Sequence, residues 1–167
     1  NAIKRCDLEF SSENEIEGKF VYEIAKYELK NKYKSKKDIK FDALVAANDA
    51  MAIAAMDYFA EIGIDVPEDV KVVGFDDSIS SRLVHPRLST ISQNVYGQGY
   101  RAAEIANDIL DGKTVEKNEI TELRVIYRQS CGCVDKRNPD PICLDSYGNQ
   151  SVEKDVVTVK ENYADVI

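Results

Sequence analysis

The sequence lacks the features that mark several large classes of protein. It has no apolar run long enough to span a membrane and no signal-peptide pattern near its start. Histidine occurs once, as His85, and no serine lies in the GxSxG context of an elbow nucleophile. Gly97 and Gly99 precede a predicted helix but lack the strand and the rest of a phosphate-binding fingerprint. These absences argue against an enzyme.

Basic residues are also fewer than acidic residues. Lysine and arginine number 22 against 30 acidic residues, which gives a formal net charge of −8. A surface that binds nucleic acid should be basic, so we expect this chain not to hold DNA itself. The lysines of residues 33–40 are interpreted as a solvated connection, because no aromatic or arginine context accompanies them.

The four cysteines, Cys6, Cys131, Cys133 and Cys143, permit disulfides, a metal site or plain thiols. Cys131 and Cys133 are too close in sequence for the usual zinc spacing. No export signal is visible and the core is large enough without crosslinks. We therefore expect reduced thiols, no metal or cofactor, and a cytoplasmic location.

The chain is organised around residues 41–77. Residues 43–47 form a continuously apolar run, typical of a strand buried on both faces. Apolar residues then recur at helical spacing as far as Ile62, and Gly63 ends that helix. Pro67 and Asp69 turn the chain into a second buried strand over residues 70–73. The pattern predicts a right-handed β-α-β unit of a parallel sheet.

Polar side chains follow both strands of this unit. Asn48 and Asp49 come after the first strand, and Asp76 and Asp77 come after the second. Ligands of parallel α/β sheets bind beyond the carboxyl ends of the strands, and carboxylates and amides offer several hydrogen bonds there. As sequence neighbours, Asp76 and Asp77 are not the facing pair that acid–base catalysis needs. The sequence therefore predicts a binding site for a small polar molecule.

Three motifs in order, AANDAMAIAAM, VPEDVKVVGFDD and HPRLSTISQ, closely resemble the effector-binding core of LacI/GalR-type regulators. The resemblance runs from about Asp42 to Cys133 and ends in RQSCGC, which closes many such domains. It implies one lobe of a type I periplasmic-binding-protein fold, a three-layer α/β/α arrangement with a mainly parallel sheet. The resemblance also implies that most of the first lobe is absent from this chain.

Through the resemblance, Asn48, Asp76 and Gln93 match the positions by which the family typically contacts its effectors. Asp49 and Phe75 have weaker claims, since Asp49 is also a candidate helix cap and Phe75 suits inward packing as well as stacking on a sugar. An alternative interpretation of Asn48 is a helix cap, and an alternative interpretation of Asp76 is a turn residue. The resemblance implies a small polar ligand, with sugars the leading class.

The remaining segments are assigned from local patterns. Hydroxyl and acidic residues from Ser11 predict a helix that reaches Lys32, with an apolar stripe that includes Phe20, Ile24 and Tyr27. Residues 78–94 predict a short helical turn, which Asp77 could cap, and then an extended crossover that lines the cleft. Residues 96–110 predict a helix whose apolar stripe is exposed unless it folds back or meets a second copy of the chain, and we expect a homodimer. Residues 120–127 predict the last strand.

The chain is expected to divide into four parts. Residues 1–2 resemble a scar of tag removal, residues 3–134 form the lobe, residues 135–150 form a linker, and residues 151–167 form a helical tail. The tail carries valines and a tyrosine at heptad spacing, which suits either packing on the domain or a signalling helix.

Three functions fit these observations. The chain is the sensor of a LacI/GalR-like regulator whose DNA-binding domain lies outside it, the sensor of a signalling protein with a cyclase or kinase output after it, or a solute-binding protein for transport. In each case, closure of two lobes around a ligand shifts an equilibrium through its differential affinity for two states.

Overall fold

The computed structural model describes Arg5 and residues 11–133. Helices and strands alternate along most of this range, as the β-α-β pattern predicts. In the described part of the chain, no helix combines the length and the apolarity that crossing a membrane requires. The elements are α1 (Tyr22–Lys32), β1 (Ala43–Val45), α2 (Asp49–Glu61), β2 (Lys71–Val73), α3 (Ile79–Leu83), β3 (Thr90–Ser92), α4 (Val95–Leu110) and β4 (Arg124–Ile126).

The predicted β-α-β unit is present. Strands β1 and β2 are parallel, with Leu44 opposite Val72, and α2 connects them. Asn48 caps α2, since its side-chain oxygen accepts a hydrogen bond of 2.9 Å from the Met51 amide. Gly63 follows the helix with a φ of +75°, a left-handed conformation that glycine adopts without steric cost.

The burial of β1 differs from the prediction of a strand covered on both faces. Leu44 is partly buried against the core, but Ala43 and Val45 point away from it and Val45 is 81% exposed. Successive side chains of a strand alternate between the two faces of its sheet, and the described residues cover only one face of β1. The strand predicted from the continuous apolar run is therefore confirmed. The prediction that both of its faces are buried is wrong for the described residues.

A second, antiparallel pair consists of β3 and β4, with Ile91 opposite Val125. It joins the first sheet through Ser89, whose carbonyl accepts a hydrogen bond of 2.9 Å from the Gly74 amide. The predicted helical turn is α3, and the cap before it is Ser78 rather than Asp77, because the Ser78 hydroxyl accepts from the Ser81 amide at 3.3 Å.

The segment after β4 returns to the outer side of β2. The Val72 amide donates to the Ser130 carbonyl at 2.8 Å, and the Ser130 hydroxyl donates to the Val72 carbonyl at 2.6 Å. The same hydroxyl accepts from the Ser89 amide at 2.8 Å. Strand β2 is thus paired on one side by β1 and on the other by residues far along the chain.

The first helix starts later than predicted. A 3₁₀ turn over Ser12–Asn14 replaces the expected helix start, and Lys19 and Phe20 adopt left-handed φ angles of +49° and +59°. Helix α1 then begins at Tyr22 and buries Ala25 and Leu29. Phe20 and Tyr27, which were predicted to form its apolar stripe, are exposed. Two consecutive left-handed residues cannot continue a right-handed helix, so the pattern from Ser11 is interrupted.

The core lies between α1, α2 and β2. Its largest fully buried side chains include Phe59, Val72 and Leu88. The Phe59 ring lies 6.3 Å from that of Phe41, which meets Tyr33 edge to face at 5.7 Å. The predicted core face of α2 is therefore confirmed.

Helix α4 forms as predicted and its apolar stripe is uncovered. None of its residues is buried, and Leu110 is 86% exposed. Gly112 follows with a φ of +73° and ends the helix. Among the described residues, the stripe does not fold back onto the sheet.

Several predicted features lie outside the described residues. These are Cys6, Cys143, the linker 135–150 and the helical tail 151–167. Of the cysteines that are described, Cys131 and Cys133 lie side by side, with their Cα atoms 5.5 Å apart. The expectation of reduced thiols stays a prediction.

Replacing Gly74 should lower the free energy of unfolding. A Cβ atom at Gly74 would lie 2.3 Å from the Asp49 Oδ1 atom and 3.0 Å from Leu88. We expect Gly74→Ala to cost about 1–3 kcal/mol, as overpacking of a close-packed site does. The matched control is Gly99→Ala within α4, where nothing lies within 4 Å, and it should gain about 0.5–1 kcal/mol. Urea denaturation of both variants measures the difference, and equal midpoints would contradict it.

Candidate functional site

The carboxylate of Asp49 is the centre of the carboxyl edge of the parallel strands. Asp49 is the first residue of α2 and is only 1% exposed. Its Oδ1 atom accepts a hydrogen bond of 2.6 Å from the Thr90 hydroxyl, and its Oδ2 atom accepts one of 2.7 Å from the Ser78 amide. Its own amide donates to the Phe75 carbonyl at 2.8 Å. A buried carboxylate needs such partners, and the positive end of the helix dipole adds to them.

This arrangement assigns Asp49 a structural role. Both of its carboxylate oxygens are taken by groups of the chain, and burial keeps them from a ligand. Asp49 was one of the predicted ligand-binding residues and a candidate cap, and the cap is Asn48. The exposed polar groups at this edge therefore belong to the neighbours of Asp49.

Asp76 and Gln93 lie together at this edge. The Gln93 side-chain amide donates to Asp76 Oδ1 at 2.6 Å, and the carboxylate remains exposed. The Asp76 amide donates to the Ile91 carbonyl at 2.9 Å. The two residues come from different strand ends, and both were predicted to contact the ligand.

The backbone at Asp76 is strained. Its φ is +114°, and the next residue, Asp77, has a φ of +54°. Such angles cost roughly 1–3 kcal/mol for a residue other than glycine and persist only where surrounding contacts impose them. Strain of this kind concentrates at binding sites, so it supports a functional role for this turn.

Asn48 is half-buried, and its side chain serves the chain at both ends. Its oxygen caps α2, and its nitrogen donates to the Phe20 carbonyl at 3.1 Å. The helix-cap role that the sequence left open is therefore real. Phe75 is half-buried, and its carbonyl accepts a hydrogen bond from the Asp49 amide, which fixes its backbone at the strand end.

Asp77 forms ion pairs with two arginines. Arg128 Nη2 lies 2.5 Å from Asp77 Oδ1, and Arg82 Nη2 lies 2.8 Å from Asp77 Oδ2. The Asp77 amide also donates to the Thr90 hydroxyl at 3.3 Å. Asp77 is thus held on both sides of its carboxylate and at its amide, which fixes the residue next to Asp76.

Sequence reasoning missed Thr90 and Arg128. Both lie within motifs that were recognised, HPRLSTISQ and RQSCGC, but neither follows a strand of the central unit. The available signal was the arginine itself, since a buried charge within an otherwise neutral terminal motif needs an acidic partner. Among the described residues, no three His, Cys, Asp or Glu side chains are grouped so as to hold a metal ion.

Residues 6–131 match the family model described as the periplasmic binding protein-like domain. The chain belongs to that family. The matched range contains both strand ends and the crossover. Every residue of the candidate site therefore lies within it. Its relatives and similar structures show that the domain is of the LacI/GalR type.

Curated relatives are transcriptional regulators. The ribose operon repressor of Lactococcus lactis is 28% identical over 128 residues, which cover 74% of this chain and 38% of that protein. The ribose operon repressor of Bacillus subtilis is 30% identical over 75% of this chain and 37% of its own length. The regulator GalR of Escherichia coli is 39% identical over 50% of this chain and 24% of its own. The chain thus spans less than half the length of these relatives.

Solved structures of the same type superpose on this fold. A sugar-binding transcriptional regulator of the LacI family from Escherichia coli matches with a TM-score of 0.69 and 29% identity, over 77% of this chain and 46% of its own. A complex of the regulator CelR with cellobiose matches with a TM-score of 0.66 and 28% identity, over 77% of this chain and 39% of its own. The α/β fold of this family is therefore confirmed for the chain.

Removing the Thr90 hydroxyl should destabilise the domain. Thr90→Val keeps the shape of the side chain but leaves Asp49 Oδ1 without its buried donor. We expect a loss of about 1–3 kcal/mol in the free energy of unfolding. The control Thr114→Val changes an exposed threonine and should shift it by less than about 0.5 kcal/mol. Denaturation midpoints compare the two, and a neutral Thr90→Val would mean that Asp49 does not depend on this bond.

Proposed function

We propose that the chain is the effector-sensing domain of a LacI/GalR-like transcriptional regulator and that its effector is a small polar molecule, most suitably a sugar. The proposed contacts are Asp76, Gln93 and Asn48, with Phe75 at the edge of the site. The protein acts as a sensor and not as an enzyme, and it works in the cytoplasm, where its regulated DNA is found.

The observation that carries this proposal is the pair formed by the exposed Asp76 and the half-buried Gln93. Its carboxylate accepts hydrogen bonds, and its amide both donates and accepts. A sugar offers adjacent hydroxyl groups that both donate and accept, so it can satisfy such a pair. The bond from Gln93 orients the Asp76 carboxylate, which reduces the entropy lost on binding.

The relatives support a sugar as the effector class. CelR is described in complex with cellobiose, and an Arthrobacter LacI-family regulator, 25% identical with a TM-score of 0.60, is described in complex with lactose. Two of the curated relatives are ribose operon repressors. These sugars share a ring or chain of hydroxyl groups, and that shared chemistry is what Asp76 and Gln93 suit.

The output of the sensor is proposed to be DNA binding through a separate domain. Several relatives are described as HTH-type transcriptional regulators, and this favours the repressor over a signalling enzyme or a transport protein. The net charge of −8 gives the chain itself no electrostatic attraction for DNA. A ligand that prefers the closed state then shifts the equilibrium between two forms of the regulator.

Changing the proposed contacts should weaken sugar binding by the full-length protein. Asp76→Asn tolerates the positive φ, and Asn48→Asp retains the helix cap, so both should fold. We expect each to lose about 1–3 kcal/mol of binding free energy, because a ligand hydroxyl loses its partner. Isothermal titration calorimetry with ribose, cellobiose and lactose measures the loss.

The control for this experiment is Asp42→Asn. Asp42 is exposed and precedes β1, so it lies at the opposite, amino end of the strands. Its binding constant should equal that of the unchanged protein. Unchanged affinity in both Asp76→Asn and Asn48→Asp would remove these residues from the site.

We also propose that the 167-residue chain pairs with a second copy through α4. Its exposed apolar side chains include Tyr96, Tyr100, Ile109 and Leu110. Soluble monomers avoid contiguous apolar surface of this kind. Because the described residues leave the stripe uncovered, an equivalent stripe on a second copy suits it by symmetry.

Light scattering during size-exclusion chromatography tests the pairing. The mass should be twice the 18.7 kDa of one chain. Ile109→Glu should restore the monomer, because it introduces charge into the stripe. Ile79→Glu changes an exposed apolar residue of α3 and should leave the dimer intact. A single-chain mass at all concentrations would overturn the proposal.

A further inference from the structure

Arg128 follows β4 and reaches four groups on other segments. Its amide donates to the Ser89 hydroxyl at 2.8 Å. Its Nη1 atom donates to the Ser81 hydroxyl at 2.9 Å and to the Leu88 carbonyl at 2.8 Å. Its Nη2 atom pairs with Asp77, and the two side chains are 12% and 11% exposed. A planar guanidinium can make these bonds together, whereas an ammonium group cannot.

The partner of this arginine stands beside the proposed ligand contact. Asp77 adjoins Asp76, and both have positive φ angles. Left to itself, a turn with two such residues relaxes to ordinary φ angles, which would redirect the Asp76 carboxylate. The contacts that oppose this relaxation are those of Asp77 with Arg128, Arg82 and Thr90 and that of Asp76 with Ile91.

Arg128 is the most buried of the charged groups that hold this turn. Arg82 is 38% exposed on its side chain, so water competes for its bond with Asp77. Arg128 is shielded, and it is also anchored to Ser81 and Leu88. Its removal therefore leaves a shielded carboxylate with weaker partners, next to the residue that contacts the ligand.

We propose that Arg128 is a positioning residue for effector binding. It does not touch the ligand, but it fixes the Asp76–Asp77 turn in the conformation that presents the Asp76 carboxylate. Because Arg128 follows β4, and β4 pairs with the strand that holds the Asp76 amide, a shift of the β3–β4 sheet against β2 changes the turn. The part of this inference that concerns binding rests on the proposed function, which supplies the ligand. The part that concerns the conformation of the turn does not.

Amide hydrogen exchange of the chain, measured by NMR, tests the conformational part without a ligand. The variants are Arg128→Lys, which keeps the charge, and Arg128→Gln, which removes it. We expect the Asp76 and Asp77 amides to exchange about tenfold faster or more in both variants, because the turn opens locally. The Ala46 amide, which donates to Val73 within the parallel sheet, should keep its exchange rate. A merely structural role would accelerate all three amides together.

Calorimetry of the full-length protein with ribose, cellobiose and lactose tests the binding part. We expect Arg128→Lys to weaken binding about tenfold or more, because the apparent dissociation constant rises as the inverse of the fraction of molecules whose turn keeps the binding conformation. The matched control is Arg101→Lys. Arg101 also bonds two carboxylates, Glu104 and Glu119, but on the exposed surface of α4, and its change should leave both binding and the exchange rates unaltered.

The outcomes separate the inference from the proposed function. Unchanged exchange at Asp76 and Asp77 in Arg128→Lys would overturn the inference, as would faster exchange with undiminished binding. Faster exchange confined to the turn, in a protein that binds none of the three sugars before or after mutation, would support the positioning of the turn and contradict the proposed sugar effector. If Arg128→Gln does not fold, the comparison of Arg128→Lys with Arg101→Lys decides the same question.

Discussion

The buried carboxylate of Asp49 is the constraint on which the rest of the structure depends. A charge with 1% exposure must be satisfied inside the protein, and the donors are the Thr90 hydroxyl and the Ser78 amide. One side chain therefore joins the start of α2 to the cap of α3 and to β3. The close approach of Gly74 follows from it, because a Cβ atom there would meet the carboxylate. The carboxyl edge of the sheet is rigid because several segments share this partner.

That rigid edge explains how an exposed and strained turn can exist. The two positive φ angles at Asp76 and Asp77 are unfavourable, and no local preference of aspartate suffices to hold them. Hydrogen bonds to Thr90 and Ile91 and the ion pair with Arg128 supply the required contacts. The shielded contacts are those of Asp77, while Asp76 stays exposed. Loops that a scaffold fixes in this way are common carriers of functional residues in proteins.

The sequence predicted the β-α-β unit, α4 and the polar residues at the strand ends, because apolar periodicity and the residues after each strand report directly on those features. It predicted the start of α1 incorrectly, since nothing in Lys19 or Phe20 signals a left-handed backbone. It also overestimated the burial of Val45, because apolar character does not reveal which face has a neighbour. Asp49 and Arg128 could not be assigned their roles, since each role depends on partners more than 25 residues away, at Thr90 and Asp77. Periodicity carries no information on such pairs.

The return of Ser130 to β2 has a consequence for the order of events during synthesis. Val72 bonds to a residue 58 positions later in the chain. While the ribosome is still adding those residues, Val72 lacks its bonds to Ser130, and Asp77 lacks its bond to Arg128. The nascent domain therefore has an incomplete sheet edge and a less firmly held Asp76–Asp77 turn until the RQS segment emerges. One late segment thus completes both the sheet edge and the turn.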